Sequence, residues 1–163
     1  MRYSDIVRFG VRPDLSKRLG YTKVLVIGKD LLLEQRVRDD EKPQIIMNRD
    51  PGVLINAVKD INVIGIAFEG DELVRRVLEK AAEYRKMVFI PIGQMMIADR
   101  KERGPKLGRL RKIAQASHKA GATVRVVTLA NSDNELLSRQ QLVEVGKLLL
   151  DGEGTNGLFG DIL

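Results

Sequence analysis

The amino-acid sequence predicts an α/β fold of mainly parallel strands, in a sheet or a barrel, from two features of its apolar pattern. Five apolar runs are β-branched and nearly continuous rather than alternating, which suits strands buried on both faces. Segments with helical periodicity lie between them, and strands that alternate with helices pair in parallel.

The elements follow in order. The runs cover residues 23–28, 44–47, 62–68, 87–92 and 123–129, and Asp5-Ile6-Val7-Arg8-Phe9 predicts a sixth strand. Asp50 followed by Pro51 reads as a cap and first helical residue for a helix to Val58. From Asp71 to Lys86, the stripe of Leu73, Val74, Val77, Leu78 and Ala81 predicts a second. Pro105 is expected to open a third helix, reaching Lys119 and ended by Gly121. Ser132 to Glu135 and Ser138 to Gln141 both have the spacing of capping boxes. The second leads into Leu142, Val145, Leu148 and Leu149, and Asp151-Gly152 stops that helix. Residues 1–151 thus read as a single domain. Residues 152–163 form a Gly-rich tail whose Leu158, Phe159, Ile162 and Leu163 either fold back on the core or dock a partner.

Composition narrows the function. An apolar share of 44% supports one ordinary core, aliphatic because Trp is absent and aromatics are scarce. Cysteine is absent too, which excludes disulfides and thiolate metal sites and fits a reducing compartment. The first residues lack the apolar core of a signal peptide, and no apolar run approaches the roughly 18 residues that cross a bilayer. A soluble, cytoplasmic protein without membrane contact is expected.

A search for catalytic groups finds little. His118 is the single histidine, too few for a zinc or binuclear centre, and reads as a surface or packing residue. Asp5, Asp30, Asp50, Glu69, Asp71 and Asp133 lie near strand ends, where carboxylates also cap helices and complete turns. A Mg²⁺ site built from carboxylates alone stays open. Nucleophile elbows, triads and glycine-rich phosphate loops are missing. The expectation is a protein with no catalytic residues and no metal ligands of its own.

Positive charge is the strongest signal. Arg100, Lys101, Arg103, Lys106, Arg109, Arg111, Lys112 and Lys119 face only Asp99 and Glu102 between residues 99 and 119. This local excess equals the net charge of the whole chain, +6. At about 100° per residue, Leu107, Leu110, Ile113, Ala114 and Ser117 gather on one side of the predicted helix. Arg109, Arg111, Lys112, Gln115 and Lys119 spread over the other, with Arg100, Lys101 and Arg103 expected in the preceding loop. Such a face suits phosphate, a solvated surface or an acidic protein, and arginine forks favour the first. Aromatic residues fall within or beside the strand runs, so no stacking platform for single-stranded bases is apparent. Shape and backbone recognition of a folded RNA fits better.

Met87-Val88-Phe89-Ile90-Pro91-Ile92, Gly104-Pro105-Lys106-Leu107-Gly108-Arg109-Leu110-Arg111-Lys112 and Ala120-Gly121-Ala122-Thr123-Val124-Arg125-Val126-Val127 follow one another. Leu137-Ser138-Arg139-Gln140-Gln141-Leu142 and Leu148-Leu149 come next. This order resembles the archaeal ribonuclease P protein component 3 family, over about residues 56–150. One departure is Thr128-Leu129-Ala130-Asn131, where the family carries a Ser-Ser-Gly-Ala-like stretch. The resemblance implies a (β/α) barrel with helices outside. This chain is short for eight units, so the barrel is expected to be shortened or incompletely closed, with about six mainly parallel strands. Residues 29–42 would replace a lost unit.

The resemblance also implies a non-catalytic subunit that supports the catalytic RNA in 5′ maturation of precursor tRNA. Mg²⁺ would act through the RNA subunit and none would bind the protein. Ribonuclease P RNA and protein component 2 would be direct partners and precursor tRNA an indirect one, and either component 2 or a second copy of this chain is expected to cover strand edges that a trimmed barrel leaves open. The competing expectation is a small barrel enzyme, a metal-dependent phosphoesterase acting on a phosphorylated metabolite through Asp50 or Asp71. A ribosome-associated or scaffold protein with the same basic surface is the third.

Overall fold

A computed structural model describes residues 4–7, 13–19, 23–26, 32–33, 43–69 and 74–151. It is an α/β structure with a parallel sheet and helices. Strands β1 (Ser4–Val7) and β2 (Lys23–Val26) pair in parallel, with the short helix α1 (Pro13–Arg18) between them in the chain. The larger sheet takes β3 (Leu32–Leu33), β4 (Gln44–Asn48), β5 (Val63–Phe68), β6 (Met87–Pro91) and β7 (Thr123–Val127), side by side in chain order. All four pairings are parallel. Between these strands run α2 (Pro51–Ala57), α3 (Arg75–Glu83), α4 (Gly93–Ile97) and α5 (Arg100–Lys119), and α6 (Arg139–Leu149) follows β7. β1 comes beside β7, with Cα atoms within 8 Å.

The sheet has two buried faces. Ile46, Ile66, Val88 and Val124 stand in register across β4 to β7. They share one cluster with Leu54 of α2, Leu78 of α3, Ile113 of α5 and Leu142 of α6. The helices therefore cover this face. The alternate residues Ile45, Ala67, Phe89 and Val127 form a second cluster with Leu129 and no helical residue. Burial on both faces is what makes the runs continuous rather than alternating.

One glycine is dictated by packing. The register shifts between Gln44 and Ile45, so β5 carries an extra residue opposite β4. Directly beside this shift, a Cβ on Gly65 would stand 2.4 Å from the Met87 carbonyl oxygen and 2.6 Å from Phe89 Cε2. The Phe89 ring lies over the bare Gly65 backbone.

Helix signals are partly realised. Asp50 Oδ1 accepts the Gly52 N–H at 2.7 Å, so the Asp50–Pro51 start is a true cap. Ser138 and Gln141 form the full capping box, at 3.2 and 2.8 Å. Ser132 does not: it precedes a single 3-10 turn, Asp133–Glu135, and makes no side-chain cap bond. The Glu135 carboxylate instead turns back and accepts from Asn131 and Ser132, which closes a tight loop. The helix expected from Asp71 starts at Arg75, and Asp71 and Leu73 lie outside the described residues. Gly121 ends α5 with φ of 79°.

Pro105 does not open its helix. α5 begins at Arg100, where Glu102 and Arg103 N–H groups both donate to the Asp99 carbonyl. The first turn is formed before Pro105 is reached. Proline then removes one N–H, and its φ still suits the helix. Arg100, Lys101 and Arg103 are consequently helical, not in a loop.

Against the expected count of about six, seven strands are present among the described residues, because residues 29–42 contribute the two-residue strand β3. No closure of the sheet is seen among the described residues. Residues 152–163, with Leu158, Phe159, Ile162 and Leu163, lie outside them. No helix among the described residues is long and apolar enough to cross a membrane.

Gly65→Ala tests the close approach of β5 and β6. It should destabilise the protein by about 2 kcal/mol or more, the range expected of overpacked cores, measured by denaturant unfolding. Wild-type stability would mean that the two strands separate at no cost.

Candidate nucleic-acid interface

Lengths alone explain where the charge lies. A 20-residue helix spans about 30 Å, whereas the five-residue strand β7 spans about 17 Å. More than two turns of α5 must project beyond the sheet. In its second half the inward face is apolar: Leu110, Ile113 and Ala114 are buried, and buried Ser117 returns its hydroxyl proton to the Ile113 carbonyl at 2.7 Å. One or two turns earlier, that face carries Arg103 and Lys106 instead.

The eight predicted cations separate into four groups. Arg103 is bound to its own chain: Nε donates to the Ala98 carbonyl at 2.9 Å and Nη2 to Met96 at 3.0 Å. It joins the end of α4 to the start of α5. Arg111 is neutralised by Asp151, which also accepts from Gln115 at 2.7 Å. Arg100, Lys101, Lys112 and Lys119 are exposed and make no ion pair with a described residue. Lys106 and Arg109 are half-buried and turn toward the strand ends, with Lys106 also 2.8 Å from Glu102.

The exposed stripe has a bare centre. Lys101, Pro105, Gly108, Lys112 and Lys119 fall within about 60° of one another around the helix axis. A Cβ added at Gly104 or Gly108 would meet nothing within 4 Å. Neither glycine is required by the fold, and each weakens an exposed helix by about 0.5–1 kcal/mol relative to alanine.

Beside the stripe, a hollow of about 240 Å³ opens at the C-terminal ends of β4 to β7. Met47, Phe68, Leu110 and Leu129 supply apolar lining, and Arg49, Glu69, Lys106 and Arg109 supply charge. Arg49 Nε stands 3.7 Å from Glu69. In parallel α/β proteins this end of the sheet is where ligands bind, because the loops that follow the strands converge there. Lys106 and Arg109 also line a shallow groove with Pro105, Gly108 and Lys112, so hollow and stripe are continuous.

The hollow is the part that sequence reasoning missed. Arg49, Thr128 and Leu129 carry no motif, and the usable signal was their place just past the strand runs. Glu69, a carboxylate expected near a strand end, meets Arg49 there. Asp50 caps α2, Asp133 lies in the 3-10 turn, and Asp30 and Asp71 fall outside the described residues. His118 is exposed in the last turn of α5. Among the described residues, no three His, Cys, Asp or Glu side chains gather as a metal site.

No family model matches this chain, and neither does any curated protein.

The Arg111–Asp151 pair predicts a pH signature. The hydrogen bond from Arg111 holds the Asp151 carboxyl below its ordinary range. A depressed carboxylate stabilises the fold above its unfolded value of about 4, and that contribution is lost as pH falls through the folded value. Asp151→Asn should therefore unfold slightly more easily than wild type at neutral pH, and the difference should vanish once the pH has fallen through the folded value. Denaturant midpoints across that range check it, and added salt should shrink the difference because the pair is exposed.

Proposed function

We propose that this chain is a non-catalytic RNA-binding protein of the ribonuclease P component 3 type, which supports a catalytic RNA. The exposed stripe of α5 carries the reading: Lys101, Lys112 and Lys119 flank a helix surface stripped to backbone at Gly104 and Gly108. Cations attract a phosphate chain, and bare helix lets it approach closely. The paired Arg103 and Arg111 hold the platform rather than the RNA. Mg²⁺ would be bound by the RNA, protein component 2 would be the protein partner, and the cytoplasm the site of action.

The fold reading that accompanies this is an incompletely closed barrel. Strands in strict chain order, helices on a single face and β1 beside β7 all favour a sheet that curls. The helix-free face is buried as well, as the interior of a barrel is. The phosphoesterase reading draws less support, since Asp50 is occupied as a helix cap.

Salt-dependent RNA binding tests the function. Each phosphate contact contributes about −0.7 to −0.9 to the log–log salt slope. Replacing Lys101, Lys112 and Lys119 together by alanine should flatten the slope by about 2 to 3 and weaken binding. Arg111→Ala should change it little. If the triple variant binds RNA as wild type does, the stripe is not the contact.

The glycines give a second measurement. Gly104→Ala with Gly108→Ala should raise thermal stability, by about 1–2 kcal/mol together, while weakening RNA binding. A gain in stability with undiminished affinity would show that nothing approaches the bare helix.

A further inference from the structure

The hollow at the strand ends lies on the inward side of α5, apart from the exposed stripe, and its composition points to a different task. We infer that it binds a single phosphate group with the sugar-sized piece attached to it, as a free nucleotide or as the phosphorylated end of an RNA chain.

Charge is the first support. Arg49 arrives from the end of β4, and Lys106 and Arg109 from α5, so three cations from two elements line a space in which Glu69 is the one carboxylate among the described residues. That excess matches a dianionic phosphate better than a carboxylate, and arginine forks can contact two of its oxygens at once. Glu102 pairs with Lys106 from outside the hollow. Exposed i,i+4 pairs of this kind are weak, and Lys106 can exchange partners at little cost.

Shape is the second. The volume, about 240 Å³, falls below the roughly 300 Å³ at which drug-sized pockets begin. A duplex cannot enter, whereas one phosphate and its sugar can, with Met47, Phe68 and Leu129 against the less polar part. The shared lining by Lys106 and Arg109 leads from the hollow into the groove along Pro105 and Gly108. A chain that begins in the hollow can therefore continue onto the stripe.

Backbone construction is the third. Leu129, buried in the wall, has φ of 46°, a left-handed conformation costly for a bulky residue. It is held there by close packing: the Gly93 N–H donates to the Thr128 carbonyl at 2.8 Å, and a Cβ on Gly93 would stand 2.5 Å from that oxygen. Sterically costly turns of this sort concentrate at ligand sites.

The test uses the full chain. Inorganic phosphate, adenosine 5′-monophosphate and a short single-stranded oligoribonucleotide, with and without a 5′-phosphate, are titrated while amide shifts of Arg49, Thr128 and Leu129 are followed. Expected results are shifts at these amides with the nucleotide, and affinity for the 5′-phosphorylated oligonucleotide about 10-fold above its 5′-hydroxyl form. Arg49→Gln and Lys106→Gln should remove that advantage. Arg49 is 75% exposed on its side chain, so its variant decides the matter even if Lys106→Gln disturbs the fold.

Tight nucleotide binding with no preference between the two oligonucleotides would assign the hollow to a free nucleotide. Silent amides together with equal oligonucleotide affinities would overturn the inference. Only the polymer arm rests on the RNA-binding reading. RNA that binds through Lys101, Lys112 and Lys119 regardless would leave that reading standing alone, and nucleotide binding without any RNA binding would do the reverse.

Discussion

Ile46, Ile66, Val88 and Val124 lie shoulder to shoulder across β4 to β7, and the remaining features of the fold are arranged around this row. Parallel pairing in chain order requires a return crossover between every two strands. Such crossovers share one hand, so helices in a sequentially ordered sheet collect on one side. The row is that side's floor, and α2, α3, α5 and α6 all pack on it. Each strand must also leave the sheet at the same end. Arg49, Glu69 and the Thr128–Leu129 turn are thereby brought together from distant parts of the chain.

The opposite face is under a different constraint. No described helix reaches it, yet Ile45, Ala67 and Phe89 are buried there. Space on that side is tight enough that Gly65 has no room for a methyl group beneath the Phe89 ring. Arg125, opposite Phe89 in the register, is the polar exception. Its Nε and Nη1 are buried without a hydrogen-bond partner among the described residues, and burial pushes its pKa down. A guanidinium nevertheless stays charged across the physiological range. Among the described residues, this face is apolar in its packing but contains the fixed positive charge of Arg125.

Much of this was legible in the sequence, for identifiable reasons. β-branched runs bounded by polar residues mark buried parallel strands strongly: β5 to β7 fall inside the predicted runs, and β4 exceeds its run by Asn48 alone. Asp50 and the Ser138–Gln141 box succeed because a cap is a local interaction, complete within four residues. Failures occur where the deciding contact is not local. Ser132 has the same spacing as Ser138, yet Glu135 is drawn into the loop and the box never forms. Pro105 looks like a helix start because residues 99–103 carry no periodic apolar signal. Residues 100–103 are helical because Asp99 accepts two backbone bonds and Arg103 anchors the turn to α4. The basic character of the helix could be counted from sequence. Which cations are occupied could not, since Asp151 meets Arg111 from forty residues away. The hollow was invisible for a related reason: its lining joins residues from 47 to 129, and only the register brings them together.

The continuous helix α5 also acts as a ruler. Lys101 and Lys112 are eleven positions apart, about 16 Å along the axis, and Lys112 and Lys119 about 10 Å. Phosphates of a duplex recur about every 3.4 Å of axial rise on each strand. A polyanion lying along α5 must therefore skip several charges between successive contacts, or cross the helix so that separate strands meet separate lysines. Because the intervals belong to a stiff rod, a polyanion bound there would cost little ordering of the helix itself. Discrimination among polyanions would come from matching these gaps, with no base being read.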